Sequence, residues 1–180
     1  QVSNNNKKIV LLKILRELKQ SEDIYKFLLN IYNTTDNNII KQIALRTLGN
    51  KYYSYSEIQS LIIKLIDDVN IENKKFALQI CGKMKSTLAI KKIITYLDSY
   101  DKKIKKIAAI ALVNIGKKGV PELIDYLRES RGERKYMLLK VLSFLEVKKI
   151  IPSLIQMISG NNPREVEVAI ESLKTIGSPC

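Results

Sequence analysis

Besides its hydroxyl side chains, this chain of 180 residues offers for chemistry Cys81, Cys180, 18 Asp and Glu, and 31 Lys and Arg; there is no histidine. Without imidazole there is no Ser-His or Cys-His nucleophile pair and no histidine metal ligand, and two distant cysteines cannot form a zinc cage. Nor do two cysteines make a disulfide framework; Cys81, inside the apolar stretch "FALQICGKM", reads as a buried thiol. The carboxylates are scattered over helix starts and exposed faces, with no Asp/Glu pair spaced for general acid-base work. Phosphate-cradling glycine patterns of the G-x-x-x-x-G-K or G-x-G-x-x-G kind are missing. These observations give the expectation of a chain that is not an enzyme and holds no cofactor and no metal.

Two groups of side chains remain that could bind. Lys8, Lys41, Lys74, Lys105 and Lys135 recur at one position of a repeating pattern, and "NKYYSYSE" gathers Tyr52, Tyr53 and Tyr55. A row of ammonium groups would attract anions, whereas its plainer use is to bond acids or carbonyls at a neighbouring helix start. The tyrosines could stack on bases or anchor a partner; their plainer use is to seal the turn between two helices. "ESRGERK", Glu129 to Lys135, mixes charges as a solvated turn does.

What positions these residues is a periodic pattern. Apolar anchors fall at Leu15, Leu48, Cys81, Leu112, Leu142 and Leu173, separated by 33, 33, 31, 30 and 31 residues. One helical turn before each stand Leu11, Ala44, Ala77, Ala108, Leu138 and Ala169, and small residues there let a helix approach two neighbours closely. The five lysines each lie seven residues before an anchor, and Val166 breaks the series at the sixth. A shorter apolar segment follows each anchor helix, as in "IQSLIIKLI", where Ile58, Leu61, Ile62 and Leu65 mark one helical face. Pro121 and Pro152 open two of these second helices, where proline sacrifices no intrahelical bond.

The breaks "TTDNNI", "DDVNIENK", "DSYDKK" and "SGNNPRE" supply Asp, Asn and Ser as helix caps, and Gly49, Gly82, Gly116 and Gly177 are expected to close first helices. The prediction is an all-α fold of about eleven helices: one domain over 1–180, with approximate hairpins 4–34, 35–67, 68–98, 99–129, 130–159 and 160–180. The last is incomplete at "SPC", so the chain is expected to be a piece of a longer protein.

Hairpins of this length, with "DKKIKKIAAIALVNIGKKGVPELIDYL" (Asp101 to Leu127) and "DNNIIKQIALRTLG" (Asp36 to Gly49) as the clearest instances, resemble HEAT repeats, particularly the short repeats of bilin-lyase-like proteins. The resemblance implies a right-handed α-solenoid with a concave binding surface, and it specifies architecture far more than activity. The family's usual arginine is replaced by lysine in this series. The expected role is a binding scaffold for a protein or peptide partner.

Net charge, +13, would also draw nucleic acid or an anionic membrane surface, and a nucleic-acid-binding protein resembling the HEAT-like DNA glycosylases is the alternative. Against it, lysines outnumber arginines, the residues favoured for bidentate phosphate and base contacts. A lyase-type helper for a chromophore or modified protein rests on the resemblance alone. No apolar run reaches the roughly 18 residues of a membrane span. A cytoplasmic, soluble chain is expected, with an anchored or exported context left open because the sequence starts at Gln1. The oligomeric state is not specified by the sequence.

Overall fold

The computed structural model describes residues 2–177, and every regular element among them is helical: eleven α-helices and three short 3-10 turns. Backbone contacts divide the chain into two compact units, Gln1–Leu65 and Ile66–Cys180. The N-terminal unit holds α1 (Val2–Glu17), α2 (Glu22–Thr34), α3 (Asn38–Lys51) and α4 (Ser56–Leu65). The C-terminal unit holds α5 (Ile71–Met84), α6 (Ile90–Ile94), α7 (Lys102–Ile115), α8 (Val120–Glu129), α9 (Gly132–Phe144), α10 (Ile151–Ile158) and α11 (Pro163–Gly177). Cys180, and with it the "SPC" ending of the sixth hairpin, lies outside the described residues.

Local chemistry accounts for the helix starts. Asn37, Asn70, Asp101 and Asn162 each accept two backbone N–H groups from the first turn of α3, α5, α7 and α11. A short side-chain acceptor here satisfies N–H groups that have no partner within the helix. At Asp101 the bonds from Ile104 and Lys103 hold the carboxyl below its ordinary range. Pro121 and Pro152 stand in the first turns of α8 and α10 as expected.

In the N-terminal unit α3 packs against both α1 and α2. Ile40, Ala44 and Leu48 of α3 are buried, together with Leu12, Leu28, Ile58 and Ile62. In the C-terminal unit the first helices α5, α7, α9 and α11 succeed one another in contact, and α6, α8 and α10 each meet the first helix that follows. Cys81, Leu112 and Leu142 are fully buried, as are Ala77, Ala108, Leu138 and Ala169 one turn earlier. The repeat read from the sequence packs from the second to the fifth anchor, whereas the sixth, Leu173, is only half-buried and its neighbour Ser172 is buried instead.

Two expectations are corrected. In α1 it is Leu12 that is buried, while Leu15 is only half-buried and Leu11 is exposed. α1 packs on α3, and Leu12 is the side chain buried there. Gly82 does not close α5: it lies inside the helix, and a Cβ built on it would meet the Ala111 Cα at 2.9 Å. It is glycine because the α7 backbone passes there. The left-handed residue ending α5 is Lys85, with φ of 51°. Gly49 is likewise buried within α3. Gly116, with φ of 79°, does close α7 as anticipated.

Candidate functional site

The lysine series is placed one residue at a time. Lys8 is exposed on α1. Lys41 lies over the Tyr32 ring, 5.3 Å from its centroid, and Lys74 over the Tyr96 ring at 4.8 Å, both within cation–π range. Lys105 hydrogen-bonds Glu133 in the first turn of α9 at 3.0 Å, and that bond holds the Glu133 carboxyl below its usual value. Lys135 approaches Glu165 in the first turn of α11 more loosely, at 3.9 Å. Lys140 repeats the arrangement with Glu171 at 2.7 Å and lowers that carboxyl in the same way.

The tyrosine cluster belongs to the N-terminal unit. Tyr52 is 1% exposed; its hydroxyl donates to the Ser21 carbonyl and accepts from the Ser21 N–H. Tyr25, which the sequence reading passed over, stacks on Tyr55 at 4.3 Å and tilts against Tyr52 at 5.5 Å. The Tyr25 hydroxyl donates to Glu57 and the Tyr55 hydroxyl to Glu22. Burial, reinforced by the Glu57 carboxylate, pushes Tyr25 up to about 12, and desolvation with the Glu22 bond raises Tyr55 as well. Tyr53 is half-buried beside them. The rings close the turn between α3 and α4 against the start of α2.

Among the described residues there is no group of three His, Cys, Asp or Glu side chains arranged to hold a metal ion. Burial pushes the Cys81 thiol up to about 12, which keeps it protonated and a poor nucleophile at neutral pH.

One concave feature of the C-terminal unit is a groove of about 750 Å³ where α8, α9, α10 with the 3-10 turn leading into it, and the start of α11 converge. Its volume is that of a small-ligand or side-chain pocket. Half-buried Ile124 and Leu127, lying over buried Leu139, Ile150 and Met157, make an aliphatic floor, and Arg128, Arg131, Lys135 and Lys149 rim it, against the single carboxylate of Glu165. Of the lysine series, only Lys135 lines it.

Arg131 and Lys149 were not singled out by the sequence reading, but a signal was present. Asn37, Asn70, Asp101 and Asn162 each stand eleven residues before their anchors, and the residue at that place in the fifth hairpin is Arg131. No side chain caps α9, and the guanidinium turns back to donate to the carbonyls of Arg128 and Ser130, at 3.3 and 3.0 Å. One repeat in the series thus gives up a cap worth about 1 kcal/mol and gains a cation at the groove.

No protein-family model and no curated protein matches the sequence. Among solved structures, the complex of CpcE and CpcF of phycocyanin lyase from Nostoc sp. PCC7120 is similar, with a TM-score of 0.52 and 16% identity. The likeness covers 89% of this chain and 66% of that one, slightly under two thirds of its length. The two share a helical-repeat fold. This likeness corrects the expectation that the chain is not an enzyme: the same helical-repeat fold occurs in a phycocyanin lyase, so the fold is compatible with catalysis. None of the described helices is long and apolar enough to cross a membrane.

Proposed function

We propose that the chain is a short HEAT-like repeat protein that binds another protein, with the groove at α8, α9 and α10 as its contact surface. The observation that carries this reading is the groove's composition. An aliphatic floor inside a polar, charged rim is how a protein contact is built, since the floor supplies affinity and the rim orientation. In the lysine series the division of labour is then clear. Lys105 ties α7 to α9, Lys41 and Lys74 rest on tyrosines, and Lys135 faces the ligand.

A photo-crosslinking amino acid placed at Gln156, on the exposed wall of the groove, tests this in an extract of the source cell. Protein adducts at Gln156, absent when the probe sits at Lys102 on α7, are expected. Adducts to nucleic acid, or none above the Lys102 background, would count against it.

A second reading comes from the likeness to the phycocyanin lyase complex, in which two named proteins assemble. In that case the chain works as one component of such an enzyme, and the captured partner is itself a helical-repeat chain. Identification of the crosslinked protein separates the two.

A further inference from the structure

We propose that the occupant of this groove is an acidic segment of the partner carrying aliphatic side chains beside its carboxylates, and that it docks by taking Lys135 from Glu165. The proposal rests on the protein-binding reading above and narrows it to a chemistry.

Charge comes first. Four cations face one carboxylate across the groove, and only Arg128 is fully matched, by Asp125 at 2.9 Å from outside it. Arg131 is held by backbone carbonyls alone and has no ion pair among the described residues. A guanidinium has five N–H donors in a fork suited to a carboxylate, so donors remain to be used. Lys149 is exposed and also lacks an ion pair among the described residues. Lys135 is the hinge of the argument. Its 3.9 Å approach to Glu165 is the longest of the three lysine–glutamate pairs that join successive first helices, the others being 3.0 and 2.7 Å. A contact of that length is electrostatic without being a hydrogen bond.

The floor decides between acidic partners. Ile124 and Leu127, both half-buried, offer aliphatic surface over the buried side chains of Leu139, Ile150 and Met157, and the groove lining contains no aromatic ring. Single-stranded nucleic acid is held by rings on which bases stack and by basic grooves that follow several phosphates. A compact aliphatic floor fits leucine- or isoleucine-like side chains instead, and methionine adapts to their shapes. An acidic peptide with apolar residues on one face satisfies floor and rim together.

Fluorescence anisotropy on the full chain gives the test. The probe is a labelled peptide of Glu and Leu with the leucines at helical spacing; the controls are the same peptide with Lys for Glu, one with Ser for Leu, and a labelled 12-nucleotide single strand. The Glu/Leu peptide should bind most tightly. Lys149→Glu and Arg131→Gln should each weaken it about three- to tenfold, and raised salt should weaken it as well.

Glu165→Gln should tighten binding about threefold, since it removes the competitor for Lys135. A purely structural Glu165 would give unchanged or weaker binding, which overturns the proposal. So does equal binding of the Lys/Leu peptide, or tighter binding of the oligonucleotide. Thermal melts by circular dichroism confirm that the exposed-site variants keep their fold. A Gln156 crosslink to a protein at a basic or neutral segment would defeat this inference while leaving the protein-binding reading standing; absence of any protein adduct would defeat the reading itself.

Discussion

The two compact units solve one problem, joining successive hairpins, with different chemistry. In the N-terminal unit the joint is aromatic: Tyr25, Tyr52 and Tyr55 meet at 4.3 to 5.7 Å, and Lys41 lies on Tyr32. In the C-terminal unit it is ionic from α7 onward, with Lys105–Glu133, Lys135–Glu165 and Lys140–Glu171 each linking one first helix to the next, while α5 meets α7 through Gly82 and Ala111 and Lys74 lies on Tyr96. The cause is visible in sequence. Glu133 and Glu165 stand in the first turns of α9 and α11, while the first turn of α3 carries no acid. A ring joint buries area and loses little in salt; an ion-pair joint leaves charges that a ligand can redirect.

The comparison can be broken most forcefully at Tyr52. Tyr52→Ala empties a fully buried aromatic site and should cost about 3–5 kcal/mol, with amide hydrogen exchange accelerated in α2, α3 and α4. An equal loss of protection confined to the C-terminal unit would contradict the assignment of that ring to the N-terminal joint. Gly82→Ala is the corresponding lesion in the C-terminal unit. Its new methyl meets backbone at 2.9 Å, so about 1–3 kcal/mol should be lost in denaturant titration, against the gain that Gly to Ala gives in an unobstructed helix.

Smaller effects sharpen the contrast through pH. Tyr25 has a folded-state pKa of about 12 against an ordinary 10.0, so its neutral form is the one the fold favours. Its contribution is complete below pH 10 and drains away as pH rises through 12; Tyr25→Phe should remove that alkaline slope and cost about 1 kcal/mol at neutral pH for the lost Glu57 bond. Glu133 behaves in the opposite sense. Its pKa is lowered from 4.5, so its contribution is present above 4.5 and is lost as pH falls below it. Because the Lys105–Glu133 pair is partly exposed, Glu133→Gln should cost only about 0.5–1 kcal/mol, with flatter acid unfolding.

Most of the scaffold was legible because one side chain per turn decides it. Leu48, Cys81, Leu112 and Leu142, spaced by the repeat, are all fully buried, and asparagine or aspartate caps stand at the breaks where they were expected. What failed were positions whose role depends on a neighbour remote in sequence. Nothing local distinguishes Gly82, touching Ala111, from a helix-closing glycine. Tyr25 joins rings roughly thirty residues away, and Leu12 is selected over Leu15 by which side of α1 is covered. The lysines were legible as a series but not as individuals, since partners as different as Tyr96 and Glu165 occupy the space beside them. The groove was hidden for the opposite reason: Arg131 breaks a regularity of caps that becomes apparent only when the breaks are aligned with one another.

The near-contact of Gly82 with Ala111 also bears on mechanics. Where two backbones already touch, there is no side-chain cushion to compress or slide, so the α5–α7 joint behaves as a rivet. The α9–α11 joint is built differently, from the Lys135–Glu165 and Lys140–Glu171 pairs rather than from touching backbones.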